Sequence, residues 1–174
     1  MDIAASHTRH TSADLAYDAI FIGGLGGGIV ALFFLVIDVI TRGQALFTPS
    51  LMGSVLFDGA SAASVVTVDM AATAKYSALH LVLFSLLGVG IAYLTHQAEL
   101  RSKHPLLVIG LVFAIIETAF WIGASVAIPG VLDRLGVLPV AAANLLAAVG
   151  VGLFLVSTHR GHLWRSAKGV DKRS

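Results

Sequence analysis

Four stretches of the chain run for about twenty residues almost without charge, and the ionisable and turn-forming residues crowd into the gaps between them. The apolar runs cover residues 19–40, 76–95, 105–128 and 138–156. At 1.5 Å per helical residue, each matches the roughly 30 Å of hydrocarbon in a bilayer. None alternates with the period of two that marks a half-buried strand. The pattern predicts an all-α, polytopic integral membrane four-helix bundle, with residues 1–174 forming a single membrane domain. The first run, AIFIGGLGGGIVALFFLVIDVI, holds one ionisable residue, Asp38. It is too long, and too acidic at its flanks, for a cleaved signal peptide, and is read as a retained span. Prolines agree with these limits, because proline inside a helix costs a hydrogen bond and a clash but is tolerated in the first turn. Pro105 opens the third span, Pro129 closes it, Pro139 lies in the first turn of the fourth, and Pro49 falls between spans.

The segment 41–75 is the longest gap and is apolar for a loop. Thr48-Pro49-Ser50 reads as a helix start, LMGSVLF supplies about two turns, and Asp58-Gly59 reads as a stop. This predicts a short amphipathic helix in the first, outer loop, lying on the membrane surface or capping the bundle. A re-entrant hairpin is the alternative. The distal part of 61–74 is expected to extend the second span.

Lipid removes most of the hydrophobic incentive for spans to associate, so contacts are expected where small residues let backbones approach. Gly24, Gly28, Ala31, Leu35 and Asp38 recur at spacings of four and three and share one stripe of the first helix. Gly110, Ala114, Glu117, Trp121 and Ala124 do the same in the third. Ala141, Asn144 and Ala148 mark the fourth, and Ser77, His80, Phe84 and Gly88 the second. The packing positions expected from this are Gly24, Gly28, Ala31, Gly88, Gly110 and Ala114, and Asp38 and Glu117 are expected to point inward with them.

Depth then selects a candidate site. Asp38, His80, Glu117 and Asn144 come from four different spans and all fall in the outer half or near the midplane. Asp38 and Glu117 are too far apart in depth to touch, so His80 is expected to bridge them. A carboxylate at the centre of a membrane helix costs about 2.5–3.5 kcal/mol by insertion scales. With no lysine or arginine in any span core, compensation is expected from His80, protonation, or a bound cation. Asp38, His80 and Glu117 would suit a divalent metal such as zinc, iron or manganese. The paired Glu-x-x-His motifs of a di-iron bundle are absent. His80 is the single core histidine, so a two-histidine haem is disfavoured, whereas a singly ligated haem or chlorophyll-type pigment is not excluded.

Composition reinforces the class. The chain is 57% hydrophobic and 12% charged, against about 25% charged for a soluble domain. A net charge of +1 and the scatter of basic residues give no footprint for nucleic acid. The absence of cysteine removes disulfides, thiolate metal sites and cysteine-held clusters. Arg9, Arg101, Lys103 and the tail residues Arg160, Arg165, Lys168, Lys172 and Arg173 lie on one side; Arg42, Lys75 and Arg134 lie on the other. By the positive-inside rule both termini are cytoplasmic, in a plasma or inner membrane. The basic tail, residues 157–174, carries Trp164 at interface depth and acts as a topology anchor.

Two motifs are set aside. The run Gly23 to Gly28 lacks the G-x-G-x-x-G spacing and the preceding strand of a dinucleotide site, and reads as a close helix contact. His7 and His10, and His159 and His162, are spaced to share a helix face, with His96 and His104 on the same side of the membrane. No acid or cysteine accompanies them, and the spacing is taken as accidental. Three functions remain, in this order: a non-catalytic bundle or accessory subunit that assembles with itself or a larger membrane complex; a proton- or metal-linked carrier; and an intramembrane metal-dependent enzyme. The last two would use Asp38, His80 and Glu117.

Overall fold

The computed structural model describes the backbone of residues 12–97, 105–128 and 130–169, and the side chains of residues 17, 19–93, 107, 109–128 and 130–157. Among these residues every regular element is helical: α1 (Ser12–Arg42), α2 (Phe47–Asp58), a 3-10 turn at Ala62–Ser64, α3 (Met70–Gln97), α4 (Pro105–Ala127), α5 (Val131–Leu135) and α6 (Val137–Gly169). Four of them, α1, α3, α4 and α6, are long and apolar enough to cross a membrane. The glycine-rich stretch of α1 stays helical despite the intrinsic cost of glycine. A helix is the one arrangement that satisfies all its backbone groups within a single apolar segment. Hydroxyls inside α3 are satisfied the same way: Ser77 donates to Thr73 O (2.8 Å) and Ser85 to Leu81 O (2.7 Å).

The long helices run alternately up and down, so α2, the 3-10 turn and α5 gather at one end, called here the capped end. The principal contacts run α3 to α1, α1 to α6 and α6 to α4, while α2 packs on α3. One buried cluster ties the shafts together through Ala19, Ile22, Ile91, Ala92, Val112, Ile116, Ala147, Ala148 and Val151. A second fills the capped end, with Phe47, Leu51 and Met52 of α2 against Ala124, Ile128, Val131, Leu135 and Val140.

The helix limits follow the hydrophobic pattern, with three extensions, the first being the start of α1 at Ser12 instead of residue 19. The second long helix starts at Met70 instead of Tyr76, because Asp69 caps it: its carboxylate accepts from the amides of Ala71 (2.7 Å) and Ala72 (3.1 Å). The last helix continues through residue 169, into the segment read as a tail. Pro129 lies outside the described residues.

The short helix α2 ends where expected, at Gly59 in the left-handed region (φ 65°), whose amide returns to Ser54 O. Of the two placements expected for it, α2 takes the capping one. Phe47, Thr48 and residues 50 to 54 are buried, so it has no broad wet face. It lies so close to α3 that a Cβ on Gly53 would fall onto the Ala72 carbonyl.

The helix face used by α1 differs from the expected stripe. Gly24, Gly28 and Ala31 are exposed, and the two glycines have nothing of the chain within 4 Å of where a Cβ would stand. Contact is made instead by Ala19, Gly23 and Gly27, the same four-residue spacing displaced by one position, or about 100° around the helix. Gly23 and Gly88 meet directly: a Cβ on Gly23 would strike Phe84 O, and one on Gly88 would strike Ala19 O. Gly110 and Ala114 are exposed, and α4 meets α6 elsewhere, with Ile109 filling the space beside Gly152.

Candidate functional site

The residues singled out by depth do not converge; they form three separate sets of contacts.

Asp38 is fully buried although the rest of its stripe is exposed, because the start of α2 folds over this end of α1. Its Oδ2 accepts from the Thr48 amide at 2.6 Å and its Oδ1 from the Thr48 hydroxyl at 2.8 Å. Arg42, one turn along α1, donates from Nη1 to Oδ1 at 3.0 Å. Asp38 therefore acts as the N-cap of α2 from another helix. It satisfies an amide of the first turn, and its charge opposes the positive end of the helix dipole. The residue in the cap position itself, Leu46, offers no side-chain acceptor and sits at φ 68°. A left-handed non-glycine residue costs about 1–2 kcal/mol. That conformation turns the chain so that Thr48 faces Asp38. Thr48, expected to open the helix on its own, gives both donors to Asp38.

Arg42 corrects the expectation that Asp38 lacks a basic counter-charge. Its 4.8 Å approach to the Phe47 ring and the 3.1 Å bond from its Nη2 to Arg134 O hold it in place. The i, i+4 spacing of Asp38 and Arg42 was visible in the sequence. It is masked there because Arg42 stands two residues beyond the apolar run.

Glu117 lies ten residues from the capped end of α4, or about 15 Å. Its Oε1 accepts from Trp121 Nε1 at 2.8 Å, one turn along the same helix, and its Oε2 from Asn144 Nδ2 of α6 at 2.6 Å. Asn144 is buried, and this bond is the polar link between α4 and α6. Both carboxylate oxygens are occupied by neutral donors. Of the four residues expected to share a depth, Glu117 and Asn144 are in contact; Trp121 is a partner that depth reasoning did not name.

His80 does not bridge the two acids. Its Nε2–H donates to the Gly27 carbonyl of α1 at 3.1 Å, and its ring lies between those of Tyr76 and Phe84, with centroid distances of 5.8 and 4.5 Å. The missing side chain of Gly27 admits the imidazole, because a Cβ there would stand 2.9 Å from the Phe84 ring and 3.4 Å from Nε2. With Nε2 so engaged, that nitrogen is not free for an axial metal.

The ligand set Asp38, His80 and Glu117 is therefore not assembled. Among the described residues no three histidine, aspartate or glutamate side chains gather where a metal ion would be held. No buried side-chain nitrogen or oxygen among them is without a hydrogen-bond partner. The side chains of His7, His10, His96, His104, His159, His162 and Trp164 lie outside the described residues. Chemically, each of the three sets joins one helix to another: α1 to α2, α4 to α6 and α3 to α1. No family model, curated protein or solved structure matches the chain.

Proposed function

We propose that this chain is a non-catalytic integral membrane bundle protein, inserted through α1, α3, α4 and α6 with both termini cytoplasmic, and that it serves as a structural or accessory subunit of a membrane assembly. The observation that carries this reading is the closure of the polar groups. Asp38, His80, Glu117 and Asn144 each make a hydrogen bond to another helix of the same chain, at three separate places, and the second partners of Asp38 and Glu117 lie one turn along their own helices. Catalysis or transport by a proton or cation relay needs polar groups that share a space with the substrate. A helix-joining role needs what is observed: one strong contact per interface, where an unmet polar group in hydrocarbon would cost several kcal/mol.

The assembly part of the reading is supported by α1. Its exposed Gly24, Gly28 and Ala31 form the small-residue spacing at which membrane helices approach closely, and among the described residues no helix covers them. The test compares neighbouring glycines. Gly24→Leu with Gly28→Leu should leave the bundle's melting temperature in detergent within a few degrees of the parent and shift the protein to a smaller species in native mass spectrometry. Gly23→Leu should lower the melting temperature itself. An unchanged assembly state in the Gly24/Gly28 variant would remove the subunit role. A measurable transport or catalytic activity abolished by Glu117→Gln would replace the structural reading with a functional one.

A further inference from the structure

At the capped end a groove of about 740 Å³ opens between the 3-10 turn and the junction of α4 with α5. Val55, Ala62, Ala63 and Ala127 give it an apolar wall, and Asp133 and Arg134 stand along it as a charged pair of neighbours. Arg134 is held firmly: Nη2 donates to Val65 O at 2.8 Å, its guanidinium lies 5.9 Å from the centre of the Phe47 ring, and its own carbonyl accepts from Arg42. Those contacts fix the guanidinium without neutralising it. Among the described residues no carboxylate lies within ion-pair distance of Arg134; Asp38 is spent on Arg42, and Asp58 on Lys75. Asp133 has no ion pair there either. An anchored cation and an anion therefore share one groove without cancelling each other. The groove lies where the long helices end, which on the membrane reading is beside the lipid headgroups, and Ala63 and Ala127 on its wall are exposed.

We propose that this groove seats a phospholipid with a zwitterionic, primary-amine headgroup. The phosphodiester accepts from Arg134, the headgroup ammonium donates to Asp133, and the first methylenes of an acyl chain lie along Val55, Ala62, Ala63 and Ala127. Guanidinium is suited to phosphate because its planar fork presents paired donors. A primary ammonium can donate to a carboxylate, which the trimethylammonium of a choline headgroup cannot. The paired charges select against a headgroup of net negative charge, because it would meet Asp133 unpaired. The proposal rests on the membrane reading above.

The test is native mass spectrometry of the full chain in mild detergent, titrated with phosphatidylethanolamine, phosphatidylcholine and phosphatidylglycerol of identical acyl chains. Phosphatidylethanolamine should bind severalfold more tightly than the other two. Arg134→Gln should weaken it on the order of tenfold, the loss of about one charge-assisted bond. Asp133→Asn should erase the preference over phosphatidylcholine. Ala63→Phe, which fills the groove without touching Arg134, should weaken binding while leaving the melting temperature unchanged, so a misfolded Arg134 variant would not decide the matter. Equal binding of all three lipids, tightest binding of phosphatidylglycerol, or parent-like binding by Ala63→Phe would overturn the proposal. Displacement of the lipid by millimolar inorganic phosphate would do the same, since the groove would then be a soluble-anion site. Resistance of the expressed chain to carbonate extraction from membranes reads the membrane assignment separately, so the two can fail independently.

Discussion

A buried carboxylate is held here by three donors arriving from two directions. The Arg42 side chain reaches Asp38 from one turn along α1, and the Thr48 amide and hydroxyl reach it from α2. Removing one member of such a set leaves the other charge uncompensated, which costs about 3–5 kcal/mol. Asp38→Ala is therefore expected to lower the melting temperature in detergent sharply. The double variant Asp38→Ala with Arg42→Leu should recover part of that loss, because it removes the stranded cation as well. Equal destabilisation by the single and double variants would mean that the ion pair is unimportant and the cap is everything. Glu117 should behave differently. Its two partners are neutral donors, and glutamine keeps one carbonyl oxygen and the same reach, so Glu117→Gln is expected to cost about 1 kcal/mol. Glu117→Leu strands the buried Asn144 amide and should cost about 1–3 kcal/mol. Trp121 fluorescence would report whether the indole keeps its acceptor in each variant. These single-residue roles were only partly legible in the sequence. The ionisable groups stood out because they interrupt apolar runs, and depth put Glu117 and Asn144 in one candidate set without pairing them. What depth could not supply was azimuth. Two residues at the same level of a bundle meet only if their helices are neighbours facing each other, and no pattern along one strand of sequence says which helix stands beside which.

The same limitation explains what happened to the glycine stripes at the level of elements. The run from Gly23 to Gly28 places small residues on nearly every face of α1. It announces a close approach and leaves its direction open. The approach is made by Gly23 and Gly27 because their partners on α3, Phe84 and Gly88, lie on that side. Hydrogens on Gly23 and Gly88 point along the would-be Cβ directions at the Phe84 and Ala19 carbonyls. Such Cα–H···O contacts are worth about 0.5–1 kcal/mol each. Gly53 repeats the arrangement between α2 and Ala72. A methyl group there has nowhere to go, since the obstacle is backbone, so Gly53→Ala is expected to cost about 1–3 kcal/mol, as overpacking does. A thermal shift below about 1 kcal/mol would mean that α2 rides on α3 more loosely than the geometry describes. The number and placement of the long helices, by contrast, were readable, because hydrocarbon thickness and the need to satisfy backbone groups set how long an apolar run must be. Their ends were not: α1 and α6 run past the apolar stretches, and the early start of α3 depends on Asp69, held by its own amide's 2.7 Å bond to Ser50 Oγ of α2.

For the whole molecule, the absence of cysteine turns a compositional fact into a tool, since any introduced thiol is the sole one. On the proposed orientation, with both termini cytoplasmic, Ser64→Cys at the capped end should react with an impermeant maleimide added outside intact cells. Lys168→Cys should react only after the membrane is opened. The reverse pattern would invert the orientation argued from the lysine and arginine count. Contacts among the long helices carry a further consequence. The first part of the chain, α1 with α2 and α3, is internally packed; the second, α4 with α5 and α6, is joined through its own helices; and the two meet mainly where α1 lies on α6. The covalent link between Gln97 and Pro105 connects two helices, α3 and α4, that are not principal packing partners. The chain can thus be divided into two modules, each a pair of long helices bridged by a short one, that pack on each other through α1 with α6 and through the core at the capped end. Expressed as separate polypeptides divided between residues 97 and 105, the two modules should find each other in one membrane and purify together through a tag on either. The α1–α6 face, with Ile29 lodged beside Gly150 and Val151 beside Gly26, would then be a binding interface in its own right.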